Sequence, residues 1–115
     1  MTITRFEDII AWQKAKELTL NLYAILNTTM DFSFRDQICR VSISIMNNIA
    51  EGFERDSDKE FKHFLFIAKG SSGEVRSMFQ LAVELSYISN NEYIELLKLS
   101  NDISKLLAGL IKSLG

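Results

Sequence analysis

Apolar residues recur every three or four positions in four successive stretches of this sequence, which contains no proline. That spacing places the apolar side chains on one side of an α-helix, and proline is the residue that interrupts helices most sharply. We therefore predict four helices, over about residues 5–27, 34–53, 58–88 and 91–113. Because only short polar segments separate them, the helices should form an antiparallel, up-and-down four-helix bundle. The predicted fold class is all-α, with residues 1–115 in a single domain.

The predicted helix starts share one local signal. A serine or threonine followed three positions later by an acidic residue can form two reciprocal bonds to free backbone N–H groups. Four such pairs occur: Thr4 with Glu7, Ser33 with Asp36, Ser57 with Glu60, and Ser89 with Glu92. The Ser33 pair is the weakest, because aspartate is shorter than the glutamate that usually reaches back.

The third predicted helix contains two glycines, Gly70 and Gly73, within the sequence AKGSSGEV. Each glycine costs roughly 1 kcal/mol relative to alanine in a helix interior. The apolar spacing before the glycines nevertheless continues in phase after them, so we predict one continuous helix, the longest of the four. Together with Ala68, Ser71 and Ser72, the glycines should form a flat surface where a neighbouring backbone comes close.

Charge and cysteine content limit the function classes. A formal net charge of -2 and a pI of about 5.4 give no general attraction for phosphate backbones, so a nucleic-acid role needs a local basic face. The single cysteine, Cys39, cannot form an internal disulfide and lies in an apolar stretch, which favours a reduced thiol in the cytoplasm. No segment is typical of a signal peptide or a membrane span, so we expect a soluble, unprocessed protein.

Three segments resemble a known family. FEDIIAWQKAKEL, DQICRVSISIMNNIAEGFER and EFKHFLFIAKGSSGEV are similar to the signature of the four-helix bundle proteins encoded in 23S ribosomal RNA intervening sequences. The resemblance implies a homopentamer of up-and-down bundles with no assigned catalytic activity.

The same fold is shared by the accessory variability determinant proteins of diversity-generating retroelements. Those proteins resemble basic pentameric barrels that bind a reverse transcriptase and nucleic acid. This chain departs from them by being mildly acidic. It also has TTMDFSF before the second helix, where the family often carries a proline.

A polar strip follows one side of the second predicted helix and consists of Gln37, Arg40, Ser44, Asn47, Asn48 and Glu51. Apolar residues occupy most of the remaining circumference, which favours burial against both the bundle and another subunit. In a hairpin with the third helix, Arg40 falls between Ser71 and Glu74. We predict a contact between Arg40 and Glu74, within one chain or across an interface, that fixes register more than it stabilises. The alternative is a solvated face.

Basic residues recur every seven positions on the last two helices: Lys62, Lys69 and Arg76, then Lys98, Lys105 and Lys112. Each set forms a stripe along its helix, and the two stripes should overlap in an antiparallel hairpin. They predict a surface for RNA or DNA. The alternative is an ordinary solvated face, with lysines placed favourably for the helix dipole and Asp102 pairing with a neighbouring lysine.

Catalytic signals are weak. His63 is the only histidine, and no Cys/His cluster suggests a metal site. HEPN ribonucleases place four to six residues between their arginine and histidine, but seven separate Arg55 from His63. The sequence GSSG lacks the lysine and the preceding strand of a phosphate-binding loop. We therefore predict no catalytic residue, metal, cofactor or small-molecule substrate.

Large apolar side chains exceed what one narrow stripe per helix can bury, and Phe66 and Ile67 lie off the main stripe of the third helix. This surplus favours a subunit interface. The leading hypothesis is a non-enzymatic homo-oligomeric scaffold or binding module, pentameric by resemblance. The alternative is a nucleic-acid-binding accessory protein that uses the two basic stripes.

Overall fold

The structure is a computed structural model that describes residues 2–115. A short 3-10 helix, Phe6–Asp8, precedes four α-helices: α1 (Ile10–Ile25), α2 (Phe32–Phe53), α3 (Asp58–Glu84) and α4 (Asn90–Ser113). Each α-helix packs against the one before and the one after it, and α1 also packs against α4. The described residues contain no β-strand. The predicted all-α, antiparallel four-helix bundle is confirmed.

Two of the four predicted helix starts are confirmed. Ser57 accepts a hydrogen bond from the backbone N–H of Glu60, at 3.2 Å. At the start of α4, Ser89 and Glu92 form the full reciprocal box, with bonds of 3.1 and 2.8 Å. These caps depend only on residues three apart, which explains why local sequence predicted them.

The other two predicted starts are wrong. Asp31, not Ser33, caps α2 by accepting from the N–H of Phe34, so that helix begins two residues earlier than predicted. The pair of Thr4 and Glu7 does not start α1. Residues 6–8 form the 3-10 helix, and Ile9 then takes an extended conformation that places its side chain in the core, 3% exposed.

The third helix is continuous through both glycines and is the longest at 27 residues, as predicted. It ends at Glu84 rather than near residue 88. The N–H of Tyr87 donates to the carbonyl of Ala82 and that of Ser86 to Val83, which is a Schellman motif. Ser86 has a φ of 61°, where glycine is usual. Because a serine and not a glycine occupies this position, the sequence did not signal the end of the third helix.

Hydroxyl side chains join three successive helix pairs near the middle of the bundle. The side-chain oxygens of Thr19 and Ser42 lie 2.7 Å apart between α1 and α2. Those of Ser44 and Ser71 lie 3.1 Å apart between α2 and α3. Ser72 of α3 bonds Ser104 of α4 at 2.9 Å. Small hydroxyl residues let these helices approach closely while satisfying every buried polar side-chain atom described.

Close packing between α2 and α3 depends on Gly52. A Cβ at this position would lie 2.6 Å from the Cβ of Phe64 and 3.3 Å from the carbonyl oxygen of Phe61. Gly70 is the contrasting case, because nothing lies within 4 Å of the place where its Cβ would be. The prediction that a neighbouring backbone approaches the 68–73 segment holds at Ser72, whose hydroxyl bonds the backbone carbonyl of Ser100. It is wrong for Gly70 and also for Gly73, where a Cβ would meet only the side chain of Arg76.

Alanine should have opposite effects at these two glycines. We expect Gly52→Ala to lower the free energy of unfolding by about 1–3 kcal/mol, because the new methyl group overpacks a helix contact. Gly70→Ala should raise it by up to about 1 kcal/mol, because the helix gains propensity without a clash. Urea unfolding followed by circular dichroism measures both changes. Equal effects at the two positions would contradict this account of the contact between α2 and α3.

A second contact closes one end of the bundle. Asp31, in the loop before α2, accepts a hydrogen bond from the hydroxyl of Tyr87 at 2.7 Å as well as the one from Phe34. The bond from Tyr87, and then that from Phe34, holds the pKa of the Asp31 carboxyl below its ordinary value. The same bond raises the pKa of the Tyr87 hydroxyl, because the phenolate would face a carboxylate.

The contribution of this contact to stability should depend on pH at both extremes. Asp31 has a lowered pKa in the folded state, so its contribution fades as pH falls below about 3.9. Tyr87 has a raised pKa, so its contribution fades as pH rises above about 10. We expect Tyr87→Phe to be less stable than the native protein between these limits and to approach it outside them. Denaturant titrations across this pH range measure the difference, and a stability difference that does not change with pH would contradict this account.

Candidate nucleic-acid interface

The polar strip of α2 is mostly solvated. Gln37, Arg40, Asn47 and Glu51 are exposed, and so is Glu74 on α3. Asn48 is half-buried and donates to the backbone carbonyl and the hydroxyl of Ser44, at 2.8 and 3.0 Å. Within residues 2–115, no salt bridge or hydrogen bond joins Arg40 to Glu74, so the predicted contact does not form inside one chain. A contact across an interface stays a prediction.

The register between α2 and α3 brings the two residues to similar heights but does not join them. Ser44 lies opposite Ser71, which places Arg40 level with about position 75, one residue from Glu74 and roughly one helical turn from the predicted register. Both side chains are exposed, so the contact is absent although the heights match. Gly52 fits the same register, since its missing side chain leaves room for Phe64 directly beside it. The bond between Ser44 and Ser71 fixes this register, and Ser44 belongs to the polar strip predicted for α2.

Glu51 has a local partner at the end of α2. Its Oε1 atom lies 2.8 Å from Nη2 of Arg55, four residues later, and the Arg55 guanidinium lies 4.7 Å from the ring centre of Phe64. His63 packs edge-on against the same ring. Among residues 2–115 there is no group of three or more His, Cys, Asp or Glu side chains placed to hold a metal ion.

The register between α3 and α4 pairs the two basic stripes. Ser72 bonds both the hydroxyl of Ser104 and the carbonyl of Ser100, so position 72 lies level with about position 102. Counting outward along the antiparallel helices places the basic residues opposite one another: Lys62 with Lys112, Lys69 with Lys105, and Arg76 with Lys98. Successive pairs are seven residues apart, or about 10.5 Å along the bundle.

We call these six residues the basic face. Lys69, Lys98, Lys105 and Lys112 are exposed, whereas Lys62 and Arg76 are half-buried. Arg76 has a structural contact, because its guanidinium donates to the hydroxyls of Ser72 and Ser104 and so bridges α3 and α4. Its contact with nucleic acid stays a prediction.

The charge of the basic face is not neutralised by the chain. The salt bridges found within residues 2–115 involve Arg5, Arg35 and Arg55 and none of the six basic residues of the face. The alternative pairing of Asp102 with Lys98 or Lys105 does not form. A protein with a net charge of -2 therefore carries three pairs of basic residues spaced over about 21 Å along α3 and α4.

Sequence reasoning predicted a close approach at Ser72 but missed its partners on α4. Ser100 is buried at a position where the helical spacing calls for an apolar residue, and that substitution in an apolar stripe is the signal that could have identified it. The contacts of Ser72 with Ser100 and Ser104 could not be found in this way, because the residues lie on different helices.

Another surface feature lies at one end of the bundle. An apolar depression of about 390 Å³ lies between the start of α1 and the end of α4, where Ile10, Leu106 and Leu110 surround Gly109. In the described part of the chain, no helix is both long enough and apolar enough to span a membrane. The basic face is thus the surface with the clearest chemical character.

Comparison with known proteins gives a family match. The family model described as 23S rRNA-intervening sequence protein matches residues 7–109. A crystal structure of a protein with unknown function from the S23 ribosomal protein family of Bacteroides thetaiotaomicron VPI-5482 is also similar, at 31% sequence identity and a TM-score of 0.82. The match covers 89% of this chain and 98% of that one. Among curated proteins, no significant match was found.

Proposed function

The chain belongs to the 23S rRNA-intervening sequence protein family, and we propose that it acts as a non-enzymatic, homo-oligomeric binding module in the cytoplasm. The observation that carries this proposal is an exposed apolar surface along α1 and α2. Five subunits are proposed, from the resemblance to the pentameric bundles described above. Cys39 is a free, buried thiol, and burial raises its pKa, which lowers its reactivity.

This apolar surface has no cover within the chain. Leu20 is 60% exposed and Tyr23 is 49% exposed on α1. Tyr23 and Ile43 of α2 line a shallow depression whose remaining lining is the charged pair Asp36 and Arg40. Met30 and Phe32, at the adjoining end of the bundle, are 81% and 52% exposed. Apolar groups grouped in this way on one side of a small protein are typical of a protein interface. We propose that a second copy of the chain packs against this surface.

A charge placed in this surface should weaken assembly. We expect Leu20→Asp to shift the oligomer toward monomer and to weaken association at least about tenfold, because burying a leucine contributes about 1.5–3 kcal/mol and a buried carboxylate costs more. Leu81→Asp is the matched control, since Leu81 is 48% exposed on α3. Light scattering at micromolar concentration measures the mass. A native protein that is monomeric under these conditions contradicts the proposal.

A second function is favoured by the pairing of the basic stripes. We propose that the basic face binds nucleic acid, which makes the protein an accessory to RNA or DNA, or to a reverse transcriptase that carries them. Lysines without ionic partners, at three regular levels, can neutralise phosphates and release their counterions. The net negative charge elsewhere on the protein limits nonspecific attraction to polyanions.

Salt dependence tests this second function. We expect labelled RNA or DNA to bind at low ionic strength and to dissociate as salt rises. If all five lysines meet phosphates of a single strand, the logarithmic slope approaches about -3.5. Replacing both Lys69 and Lys105 with glutamine should reduce that slope by about 1.4. Replacing Lys14 and Lys16 of α1 with glutamine changes the charge equally outside the basic face. This control should reduce the salt slope less than the replacement of Lys69 and Lys105. Absence of salt-sensitive binding by the native protein refutes this function.

A further inference from the structure

One aromatic side chain, Phe66, lies among the residues of the basic face. Phe66 of α3 is 55% exposed and lies four residues after Lys62 and three before Lys69, so the three residues share one side of the helix. The register set by Ser72 places Phe66 level with about position 108 of α4, where Ala108 offers no bulk. The exposed Phe66 ring thus lies between two successive pairs of basic residues, Lys62 with Lys112 and Lys69 with Lys105.

Phe66 has no aromatic or cation–π partner among the described residues. Within residues 2–115, the aromatic pairs and cation–π contacts involve Phe6, Phe32, Phe34, Phe53, Phe61 and Phe64, but not Phe66. Exposing an aromatic ring forfeits the free energy that its burial would provide. The exposure of Phe66 therefore has no explanation in the stability of one chain.

Two glycines keep the surface beside the ring open. Gly70 and Gly73 follow Phe66 by four and seven residues, on or near the same side of α3. A Cβ at Gly70 would meet nothing within 4 Å, and one at Gly73 would meet only Nη2 of Arg76, at 3.7 Å. Neither glycine is required by packing within the chain, and each costs roughly 1 kcal/mol in a helix interior. Their absent side chains leave space for a flat group against the ring.

We infer that the basic face is a site for single-stranded nucleic acid in which Phe66 stacks on an unpaired base while the flanking lysines contact the phosphates. This inference rests on the proposed nucleic-acid function and specifies its substrate. Aromatic rings interleaved with basic residues bind single strands with little sequence preference, because every base has a flat face. In a duplex the faces of the bases are covered by the neighbouring base pairs, so the Phe66 ring cannot stack on them and adds no affinity for a duplex.

The lysines and the ring should therefore have separable effects. Lysine contacts strengthen the binding of any polyanion, whether it is single-stranded, double-stranded or without bases. Stacking on Phe66 strengthens binding only where the bases of the nucleic acid are unpaired. The difference between single-stranded and duplex affinity thus reports the ring alone, whereas the shared salt dependence reports the charges.

The test measures fluorescence anisotropy with three labelled probes at one low salt concentration: a 12-nucleotide oligouridylate, an oligodeoxythymidylate of equal length, and a duplex RNA of equal length. We expect Phe66→Ala to weaken binding of the single strands by about 5- to 150-fold, as stacking of one base contributes about 1–3 kcal/mol. Duplex binding should be unchanged. Phe66→Trp should restore single-strand binding, and Leu81→Ala, about 22 Å further along α3, should have no effect.

A second variant guards against misfolding. Gly70→Leu improves helix propensity at a position where a Cβ meets nothing within 4 Å, but the side chain fills the space beside the ring. We therefore expect it to weaken single-strand binding without lowering stability. If no probe binds the native protein, the proposed nucleic-acid function and this inference both fail. If the probes bind but Phe66→Ala affects none of them, or affects the duplex equally, the function stands and stacking on Phe66 is refuted.

Discussion

Hydroxyl contacts at the middle of the bundle set the position of every helix relative to the next. Thr19 with Ser42 and Ser44 with Ser71 join the first three helices, and Ser72 joins α3 to α4. Apolar side chains alone tolerate several registers, since burial is not directional. A slip of one turn would leave buried hydroxyls unpaired, at about 1–3 kcal/mol for each. These small groups contribute specificity that the apolar core cannot.

This register determines what the surface looks like. With Ser72 between Ser100 and Ser104, the basic stripes of α3 and α4 meet level by level. A slip of about half their seven-residue repeat would stagger them and separate each lysine from its opposite. Arg76 strengthens the arrangement, because it belongs to the basic stripe and also bridges Ser72 to Ser104. The contacts of Ser72 with α4 thus set the packing of the two helices and also align their basic stripes. Packing in the core is in this way connected to the proposed function.

Local signals predicted the helices well, and long-range contacts account for what they missed. Continuity through Gly70 and the caps at Ser57 and Ser89 follow from residues within a few positions of one another. The cap at Asp31 is shared with Tyr87, 56 residues away, so no local pattern contains it. The seven-residue repeat predicted both basic stripes. It could not predict their level pairing, which depends on hydroxyl contacts between helices, or the exposure of Phe66 among them.

Net charge is a poor guide to the partners of such a bundle. The described chain measures 43 × 21 × 20 Å, whereas electrostatic interactions between exposed charges are largely screened beyond about 8 Å at physiological ionic strength. Acidic groups on α2, such as Asp36 and the paired Glu51, therefore have little influence on a phosphate held against α3 and α4. A ligand at the basic face experiences the nearby lysines and the exposed ring. What matters is how charges are distributed over the faces, and that distribution follows from the register of the helices.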